Sequence, residues 1–482
     1  MSLSLWARLL CFAIFVTGLQ VHAAPRTVFI QLFEWSWADV ANECENYLGP
    51  AGFSAVQVSP PHEHIMWENT PWWERYQVAS YNLNSRSGNE AEFADMVRRC
   101  QSVGVDVYAD AVINHTTGIP GGVGFGGTAF THYDYPGLYS HKDFHHCGRN
   151  GNDNIVDYSD RYEIQNCELV DLADLATETE YVRNRLAAYL NKLLDLGVAG
   201  FRIDAAKHIP AQDLAAIYSR LKRSAYIYHE VIYDPQGPIQ YSEYLPYGDV
   251  MAYDYPRVLA GGLRFKDAER LHRIAEGFPD SKDCIVFTTN HDLERHDANS
   301  VLSYNGAEQR LYRLGQVFML AWPYGYPQLF SGFKFENFDQ GPPLTSEMKS
   351  HPVFDQNGQC VAPWTCEHRL PEVAAMVDFR NQTDKAFYIS NWWSNGKDQL
   401  SFGRGSFGFV AMNFSDAEMQ RDFATSLTPG AYCNIVSSDY NPRTKTCTES
   451  WTVTSRGYVH GKIPAMSAVV LLKTSPFKTR KK

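Results

Sequence analysis

The chain lacks a second long apolar run, an excess of basic residues and internal repeats. Beyond the apolar stretch 9–19, no segment approaches the roughly 18 uninterrupted apolar residues that a membrane span needs. The formal net charge is −11, which argues against nucleic acid as a partner because phosphates bind basic surfaces. The basic run 477–482 is interpreted as a solvated chain end. The sequence therefore predicts a globular protein that engages neither a membrane nor a nucleic acid.

Residues 1–23 have the pattern of a secretory signal peptide. A short charged region precedes the apolar stretch 9–19, and small residues follow it at the expected cleavage point. We expect the mature chain to start near Ala24 and to be secreted into the extracellular space. In a secreted protein the sequons at Asn381 and Asn413 are candidate glycosylation sites.

Ten cysteines are present, and Cys11 would be removed with the leader. In an oxidising compartment most of the other nine should pair, although eight cysteines allow roughly a hundred connectivities. Cys284 opens an apolar run typical of a buried strand, so it is expected to be the free thiol. Pairing between near neighbours is favoured, which gives Cys360–Cys366, Cys433–Cys447 and Cys147–Cys167. The full connectivity stays open at this point, with Cys44–Cys100 as the expected fourth pair.

Strand-like and helix-like segments alternate through most of the chain. Helical spacing of apolar residues occurs in segments such as 90–103, 178–196 and 212–219. Alternation of this kind closes naturally into a (β/α)8 TIM barrel, predicted over 24–113 and 176–387. The eight candidate strands are 27–33, 55–58, 106–111, 200–203, 225–228, 250–253, 285–288 and 327–331.

Two regions depart from a plain α/β barrel. Residues 114–175 follow the third strand without a clear barrel helix and are rich in glycine, aromatic and acidic residues, which predicts a small inserted domain. From 388 to 482 the pattern changes to short strands separated by turn residues. This region is predicted to be a C-terminal antiparallel β-sandwich domain.

Four acidic residues stand at or just after the ends of predicted strands three, four, five and seven. A closed barrel brings such positions around one pocket. A single acid in this position more often anchors a loop, but four together favour an active site. Clustered carboxyl groups raise one another's pKa values, and glycoside hydrolysis needs one protonated and one charged carboxyl group. The four acids are Asp110, Asp204, Glu230 and Asp292.

Neighbouring residues suggest a role for three of these acids. Arg202 and Asp204 point to the same face of a strand, so the cation should keep Asp204 ionised as a nucleophile. Glu230 follows an apolar run without an adjacent cation and is expected to be the proton donor. Asp292 follows Asn290 and His291, both hydrogen-bond donors, and is expected to stabilise the transition state.

The motifs that carry these acids resemble those of alpha-amylases, which cleave α-glucans with retention of configuration. The resemblance covers essentially the whole mature chain and is strongest to the animal-type secreted subgroup. It implies the same three roles for Asp204, Glu230 and Asp292. The segments concerned are 110–115 (DAVINH), 200–208 (GFRIDAAKH), Glu230 and 290–292 (NHD), with 33–37 (FEWSW), 71–77 (PWWERYQ), 87–90 (SGNE) and 391–393 (NWW).

Sugar binding requires flat apolar platforms with hydrogen-bonding groups at their edges. Trp72, Trp73, Tyr76 and Gln77 supply both between strands two and three, although one of the two tryptophans could equally belong to the core. Histidines in such places are often structural hydrogen-bonding groups. By resemblance to the family, further substrate contacts are expected from His115, Arg202, Lys207, His208 and His291.

The resemblance also implies a calcium ion between the inserted segment and the barrel. Its ligands would be the side chains of Asn114 and Asp174 and the main-chain carbonyl groups of Gln165 and His208. Carboxylate, amide and carbonyl oxygens are the ligands that Ca²⁺ prefers. The alternative is an uncharged, hydrogen-bonded hinge at the same place.

A chloride site, which many animal-type members have beside the catalytic acids, is not expected. That site uses two basic side chains and an asparagine. Arg202 and Asn290 match two of these positions, but Gln328 occupies the third, where the family has a basic residue. Because one positive charge is missing, we expect activity to be largely independent of chloride.

The predicted function is that of a secreted, monomeric, endo-acting alpha-amylase. Its substrates would be starch, glycogen and maltooligosaccharides, cleaved at internal α-1,4 bonds. A non-catalytic amylase-like binding subunit is the alternative from another class, but such relatives lose the acids that are present here. An enzyme acting on short oligosaccharides or transferring glycosyl units also stays open.

Overall fold

The computed structural model describes residues 27–232, 234–441 and 444–477. The expected leader 1–23, its cleavage point and most of the basic tail lie outside this range. Within it, no helix is long and apolar enough to cross a membrane.

Eight parallel strands form a closed barrel in chain order. The first strand pairs with the second on one side and the eighth on the other, so that Ile30 lies between Val56 and Leu329 and closes the ring. This confirms the predicted TIM barrel. The barrel strands are Phe29–Leu32, Ala55–Val58, Asp106–Ala111, Gly200–Ile203, Tyr226–His229, Asp249–Met251, Cys284–Val286 and Tyr326–Ser331.

The predicted strand bounds differ from the observed ones by two residues at one end of the first, sixth and seventh strands. The sixth was expected to extend to Tyr253 but ends at Met251. There the chain turns, because the N–H group of Tyr253 donates to the carbonyl group of Met251 at 3.0 Å, and a helix begins at Tyr255. Tyr253 therefore belongs to the barrel rim.

Helices surround the barrel, and side-chain caps explain where three of the principal ones begin. Asn89 accepts a hydrogen bond from the N–H group of Glu92, whose side chain accepts one in return, and this capping box starts the helix that follows. Thr179 caps another helix in the same way by accepting from Val182. The principal helices are Trp37–Glu43, Glu90–Ser102, Glu180–Asp195, Ala211–Tyr218, Tyr255–Arg264, Gln309–Ala321 and Pro371–Thr383.

Aromatic rings fill the bottom of the barrel. The ring of Phe29 lies 5.6 Å from Tyr108, 5.7 Å from Tyr228 and 4.6 Å from Tyr326. Such edge-on and tilted contacts pack densely and favour a filled interior. The acids Asp110, Asp204 and Glu230 lie towards the opposite end, where the third, fourth and fifth strands finish.

The segment between the third strand and the helix Glu180–Asp195 folds over this polar end. It contains a hairpin of Gly121–Val123 and Ala129–Thr131 and a short helix, Arg161–Asn166. Its two ends meet where the N–H group of Leu175 donates to the carbonyl group of Asn114 at 3.0 Å. The limits 114–175 for an inserted domain stay a prediction, as do the bounds 24–113, 176–387 and 388–482.

The C-terminal region forms an eight-stranded antiparallel sheet that curls over its own core. The edge strands Ser390–Ser394 and Met419–Ala424 meet, with the rings of Trp393 and Phe423 6.4 Å apart. This confirms the predicted antiparallel β domain. Its remaining strands are Gln399–Arg404, Gly408–Asn413, Gly430–Asn434, Trp451–Val453, Tyr458–Ile463 and Ser467–Pro476.

All four expected disulfides are present, and Cys284 is a buried free thiol. The two sequons are poor glycan acceptors, because both asparagines are buried and hydrogen-bonded. The amide group of Asn381 donates to the carbonyl group of Gly52, and that of Asn413 donates to Ile463. A glycan at either position would require these contacts to break.

Candidate active site

The four acids converge on one buried arginine at the polar end of the barrel. Arg202 Nη1 lies 2.7 Å from Asp110 Oδ1 and 2.8 Å from Asp204 Oδ1. Its Nη2 atom lies 2.6 Å from Glu230 Oε1 and 4.0 Å from Asp292 Oδ2. One guanidinium group thus neutralises part of a cluster that carries up to four negative charges.

Glu230 is held by two further hydrogen bonds. The N–H group of Ala205 donates to Glu230 Oε2 at 2.8 Å, and the hydroxyl group of Tyr253 donates to Glu230 Oε1. Ala205 has a φ of 48°, a left-handed conformation that costs energy for a residue with a side chain. The strained turn directs this N–H group at the carboxyl group and orients it.

Asp110 lies deepest of the four and makes only internal contacts. Its Oδ2 atom accepts from the hydroxyl group of Tyr76 at 3.0 Å and from the amide group of Gln57 at 3.3 Å. It is fully buried, whereas a part of the Asp292 side chain is exposed. Asp110 therefore positions Arg202, and the other three acids face the open side.

The pKa values of the cluster are strongly displaced. Burial, followed by the charge of Glu230, raises the pKa of Asp204 well above its usual range and that of Asp292 to about 7. Burial acts in the same direction on Glu230, but Arg202, Tyr253 and the N–H group of Ala205 outweigh it and hold its pKa below the usual value. The expectation that Arg202 keeps Asp204 ionised is therefore wrong for the free protein, because burial and the charge of Glu230 outweigh the arginine. Near neutral pH the free protein keeps a proton within the cluster.

The expectation that Glu230 lacks a neighbouring cation is wrong. In the register of the fourth and fifth strands, Arg202 lies opposite Tyr228, two residues before Glu230, and its side chain extends towards the end of the fifth strand. Its side chain is long enough to contact Glu230 and Asp204 together. In addition, Asp292 shares a hydrogen bond with Glu230, so a proton on Asp292 lies one hydrogen bond from Glu230.

His291 is placed for substrate contact, but Asn290 is not. Gln31 donates to His291 Nδ1 at 3.0 Å, which leaves His291 Nε2 as the donor, 3.7 Å from Asp292 Oδ2. Burial, then the charge of Arg202, keeps the pKa of His291 far below its usual value, so the ring is neutral. The side chain of Asn290 instead binds Tyr253 and the N–H group of Leu293.

The two adjacent tryptophans have different surroundings. Trp72 is buried against His291, with ring centroids 5.6 Å apart, and its indole N–H group donates to the carbonyl group of Phe338. Trp73 is half-buried at the rim. Tyr76 stacks on His291 at 5.2 Å. Trp72 and Tyr76 form the wall of the site, and Trp73 is the accessible platform.

The remaining predicted contacts line the rim towards the inserted segment. Gln77 accepts from the N–H group of Gly118 at 2.9 Å, and His115 Nε2 donates to the carbonyl group of Tyr76 at 3.0 Å. Lys207 lies beside Glu230, because its N–H group donates to that residue's carbonyl group at 3.2 Å. Gln77, His115 and Lys207 therefore lie at this rim, whereas the His208 side chain donates to the carbonyl group of Ile164 in the inserted segment.

The residues implied in calcium binding form two pairs. Asn114 is hydrogen-bonded to Asp174, while His208 Nδ1 donates to Ile164, next to Gln165. Asp174 is buried, its Oδ1 atom has no hydrogen-bond partner, and burial raises its pKa to about 6. An orphaned carboxylate oxygen beside an amide group fits a cation. Within the described ranges no group of three His, Cys, Asp or Glu residues could hold a metal, so a site here would add amide and carbonyl oxygens to the one carboxylate of Asp174.

Gln328 lies inside the barrel below the cluster. Its amide group donates to Gln57, which also accepts from Tyr228 and donates to Asp110. The site thus holds a neutral hydrogen-bonded chain at the position where a second cation would attract an anion. Two residues near the acids were not anticipated from the sequence. Gln57 lies inside the second strand, and Tyr253 lies just beyond the end of the sixth.

Comparison with known proteins agrees with this geometry. Residues 392–474 match the family model of the alpha amylase C-terminal all-beta domain. An alpha-amylase from the scallop Pecten maximus is 42% identical over 446 residues, 87% of this chain and 86% of that one. An alpha-amylase-related protein from Drosophila bipectinata is 41% identical over 460 residues, 91% of each chain. A bacterial alpha-amylase, from Thermomonospora curvata, is also 41% identical, over 96% of this chain and 76% of its own.

A solved structure extends the comparison to the fold. The crystal structure of alpha-amylase I from Eisenia fetida has a TM-score of 0.86 and 34% identity, covering 93% of this chain and 97% of that chain. A Glu-to-Gln variant of the same protein has been solved in complex with maltohexaose. With the barrel, the acid cluster and relatives of this similarity over most of its length, the chain belongs to the alpha-amylase family of glycoside hydrolases.

Proposed function

We propose that the protein is an endo-acting alpha-amylase that hydrolyses internal α-1,4 bonds of starch and glycogen with retention. The observation that carries this proposal is the bridging of Asp204 and Glu230 by the two terminal nitrogens of Arg202. Carboxyl groups held this close favour the short spacing of retaining enzymes, about 5 Å, over the wider spacing of inverting ones.

In the proposed mechanism Asp204 attacks the anomeric carbon. The glycosidic C–O bond breaks, and Glu230 gives its proton to the departing oxygen, leaving a glucosyl ester on Asp204. Glu230, now charged, takes a proton from water, and the resulting hydroxide displaces Asp204. Both steps invert the carbon, so the product keeps the α configuration.

The proton for the first step comes from the Glu230–Asp292 pair. Burial raises the pKa of Asp292 to about 7, and Asp292 and Glu230 share a hydrogen bond, so this pair can hold one proton between its two carboxyl groups. Sugar hydroxyl groups that donate to Asp292 stabilise its charged form. Substrate binding therefore moves the proton across one hydrogen bond to Glu230, and Asp292 is left charged to stabilise the transition state.

Soluble starch tests this function directly. We expect mixed maltooligosaccharides whose new reducing ends are first observed as the α-anomer by proton NMR. Initial release of the β-anomer would contradict the retaining mechanism, and glucose or maltose as the sole early product would contradict endo action. Binding of starch without hydrolysis would instead identify a non-catalytic subunit, and transfer products longer than the supplied oligosaccharide would identify a transferase.

Calcium is proposed to bind through the side-chain oxygens of Asn114 and Asp174 and the carbonyl groups of Gln165 and His208. The ion would join the inserted segment to the loop that follows Asp204. No chemical step requires it. The support is the buried Asp174 oxygen without a partner and the family membership.

Removal of calcium is expected to lower thermal stability. A ligand that binds only the folded state stabilises it by an amount that rises with the logarithm of its concentration relative to Kd, so chelation should reduce Tm by roughly 5 °C or more. Differential scanning fluorimetry with EDTA, followed by added Ca²⁺, measures this. Asp174→Asn should show a much smaller response to both additions. An unchanged Tm in the wild type would favour the hydrogen-bonded hinge, for which His145 bound to Asp174 provides a partner.

Added chloride is expected to leave activity nearly unchanged. Gln328 contributes no charge, and its amide group is already hydrogen-bonded to Gln57. NaCl should therefore alter kcat of desalted enzyme by no more than about twofold, as expected when salt only screens surface charges. Gln328→Arg is the matched variant, and we expect it to gain a chloride response. Strong activation of the wild type by NaCl but not by sodium nitrate or sulfate would contradict this.

Secretion is proposed from the four disulfides, which persist in oxidising compartments. In an extracellular setting polymeric starch, glycogen and their oligosaccharides are accessible to the open side of the barrel. A monomer suffices for the proposed activity, since every acid of the cluster comes from one chain. Cell fractionation of the expressed full chain, with enzyme found in the medium, would support this localisation.

A further inference from the structure

Arg295 lies directly behind the wall of the active site. It follows Asp292 by one turn, in the short helix Leu293–His296, and its side chain is fully buried. A buried cation is costly unless its surroundings compensate for the lost water. A fully buried group does not meet the substrate, so a role in the reaction would be exerted through its neighbours.

Two donors of Arg295 fix the backbone that carries His291 and Asp292. The Nη1 atom donates to the carbonyl group of His291 at 2.9 Å, and the main-chain N–H group donates to the carbonyl group of Asp292 at 2.9 Å. These carbonyl groups belong to the two peptide units on either side of the Asp292 Cα atom. Arg295 therefore fixes the direction in which the Asp292 side chain leaves the backbone.

Four aromatic rings enclose the guanidinium group. Its Cζ atom lies 4.1 Å from the ring centroid of Phe335, 5.2 Å from that of Phe333, 5.3 Å from that of Trp72 and 5.6 Å from that of Phe33. Cations are attracted to the faces of such rings. Within the described part of the chain the Nε and Nη2 atoms have no hydrogen-bond partner, so the rings stabilise this part of the group. Because the rings come from separate segments, they hold the arginine in one place.

The charge of Arg295 is only partly cancelled. Glu294 Oε1 lies 3.1 Å from Nη1, but burial raises the pKa of Glu294 to about 7, so this partner is largely protonated at mildly acidic pH. Burial lowers the pKa of Arg295, and the charges of Glu294 and Asp292 act against that effect. The interaction is mutual, so Arg295 favours the ionised form of Asp292.

Other charged or titratable groups also face Asp292 and Arg295. Those around Asp292 are the other three acids of the cluster, Arg202, His291, Tyr76 and Tyr253, and those around Arg295 are Glu34, Glu294, His291 and His296. A replacement of Arg295 leaves all of them in the chain. A change in the titration of the cluster would therefore report the loss of this one charge.

We propose that Arg295 is a positioning residue for the transition-state stabiliser, which fixes the orientation of Asp292 through two peptide units and favours its charged form. The inference rests on the proposed function and adds to it a residue that the substrate does not touch. Asp292 must be aligned and charged when positive charge develops on the sugar. Both conditions are then set from behind the wall of the site.

Arg295→Met tests the proposal, because methionine suits the aromatic surroundings but carries neither the charge nor the donors of the side chain. We expect kcat on starch to fall by about tenfold or more, with KM changed by less than about threefold, since the alignment of Asp292 matters in the transition state. The acid limb of the pH profile of kcat/KM should also move to higher pH by about half a unit or more. Loss of a nearby cation raises the pKa of a carboxyl group, so the cluster takes up its inactivating proton at higher pH.

Arg295→Lys separates position from charge. The charge is kept, so its acid limb should coincide with that of the wild type, whereas kcat should still fall because an ammonium group does not reproduce the planar guanidinium group. Arg380→Met is the matched control. Arg380 is also buried, but it donates to the carbonyl group of Gly325 at 2.6 Å, away from the acids. It should lower stability, with kcat within about twofold of the wild type and the acid limb in place.

Wild-type values of kcat and of the acid limb in Arg295→Met would overturn the proposal. A loss of kcat with the acid limb in place would also overturn it, because that result indicates packing alone, and so would equal shifts of the limb in Arg295→Met and Arg295→Lys. If Arg295→Met does not fold, Arg295→Gln, which is also uncharged, replaces it in the same comparison. Hydrolysis by the wild type is measured first, so a failure of the proposed function itself is recognised separately.

Discussion

Asp204→Asn is expected to lower kcat on starch by about 10⁴-fold or more, the scale on which removal of an essential reacting group acts. An amide group cannot form the glucosyl ester, and it lacks the charge that the developing positive sugar requires. Stability should not fall, because the change removes one negative charge from a cluster in which burial and Glu230 already raise the pKa of Asp204. Initial rates and thermal unfolding of the same preparation measure both effects.

Asp213→Asn is the matched control. Asp213 is also buried, but it accepts from Arg183 and Thr177 outside the active site. We expect the opposite pattern there, with activity retained and stability lowered because the arginine loses a partner. If Asp204→Asn retained more than about a hundredth of the activity, the nucleophile would have to be sought elsewhere in the cluster.

Arg202→Gln is expected to have the second-largest effect, acting on stability and activity together. Removing the cation leaves four carboxyl groups in one buried site without a counter-charge, and breaking a buried pair in this way costs about 3–5 kcal/mol. Urea unfolding measures the loss. Hydrolysis should also disappear, because Arg202 orients both Asp204 and Glu230.

The loss in Arg202→Gln should depend on pH in a defined direction. Without the arginine, the pKa values of Asp110, Asp204 and Asp292, which burial already raises, should rise further, and Glu230 loses the cation that lowers its pKa. Such groups favour folding when protonated, and the advantage is lost as pH rises through the folded pKa, about 7 for Asp292 even with the arginine present. The free energy of unfolding should therefore fall more at pH 8 than at pH 5.

A second substitution provides the control for this effect. Asp110→Asn in the Arg202→Gln background removes one buried charge while Tyr76 and Gln57 can still donate to the remaining oxygen. Part of the lost stability should return. No difference between pH 5 and pH 8, or no recovery in the double variant, would mean that Arg202 stabilises the fold by packing and not by charge.

The barrel and its acid cluster were predictable because they depend on local patterns. The third and fourth strands, Asp106–Ala111 and Gly200–Ile203, have the predicted bounds, and parallel strands necessarily present their ends at one rim. The neighbour pairing of Arg202 with Asp204 was also predictable, because alternate residues of a strand share a face.

Long-range contacts were not predictable from local patterns. Contact between Arg202 and Glu230 depends on the register of two strands and on the reach of a long side chain, which neighbouring residues do not reveal. Tyr253 was assigned to a strand because the apolar run around it continues, yet it turns at the rim and binds Glu230. The cavity of about 580 Å³ between residues 67–73 and residues 337–343 depends on how these two loops, far apart in sequence, pack together.

The aromatic rings of Phe29, Tyr108, Tyr228 and Tyr326 at the bottom of the barrel also bear on proton exchange with solvent. These packed rings separate the acids from the bottom of the barrel, so protons and water are expected to reach the cluster through the mouth, where a bound glucan would stand in their way. In the proposed mechanism, the protonation state of the cluster at the moment of binding would then decide whether that encounter leads to hydrolysis.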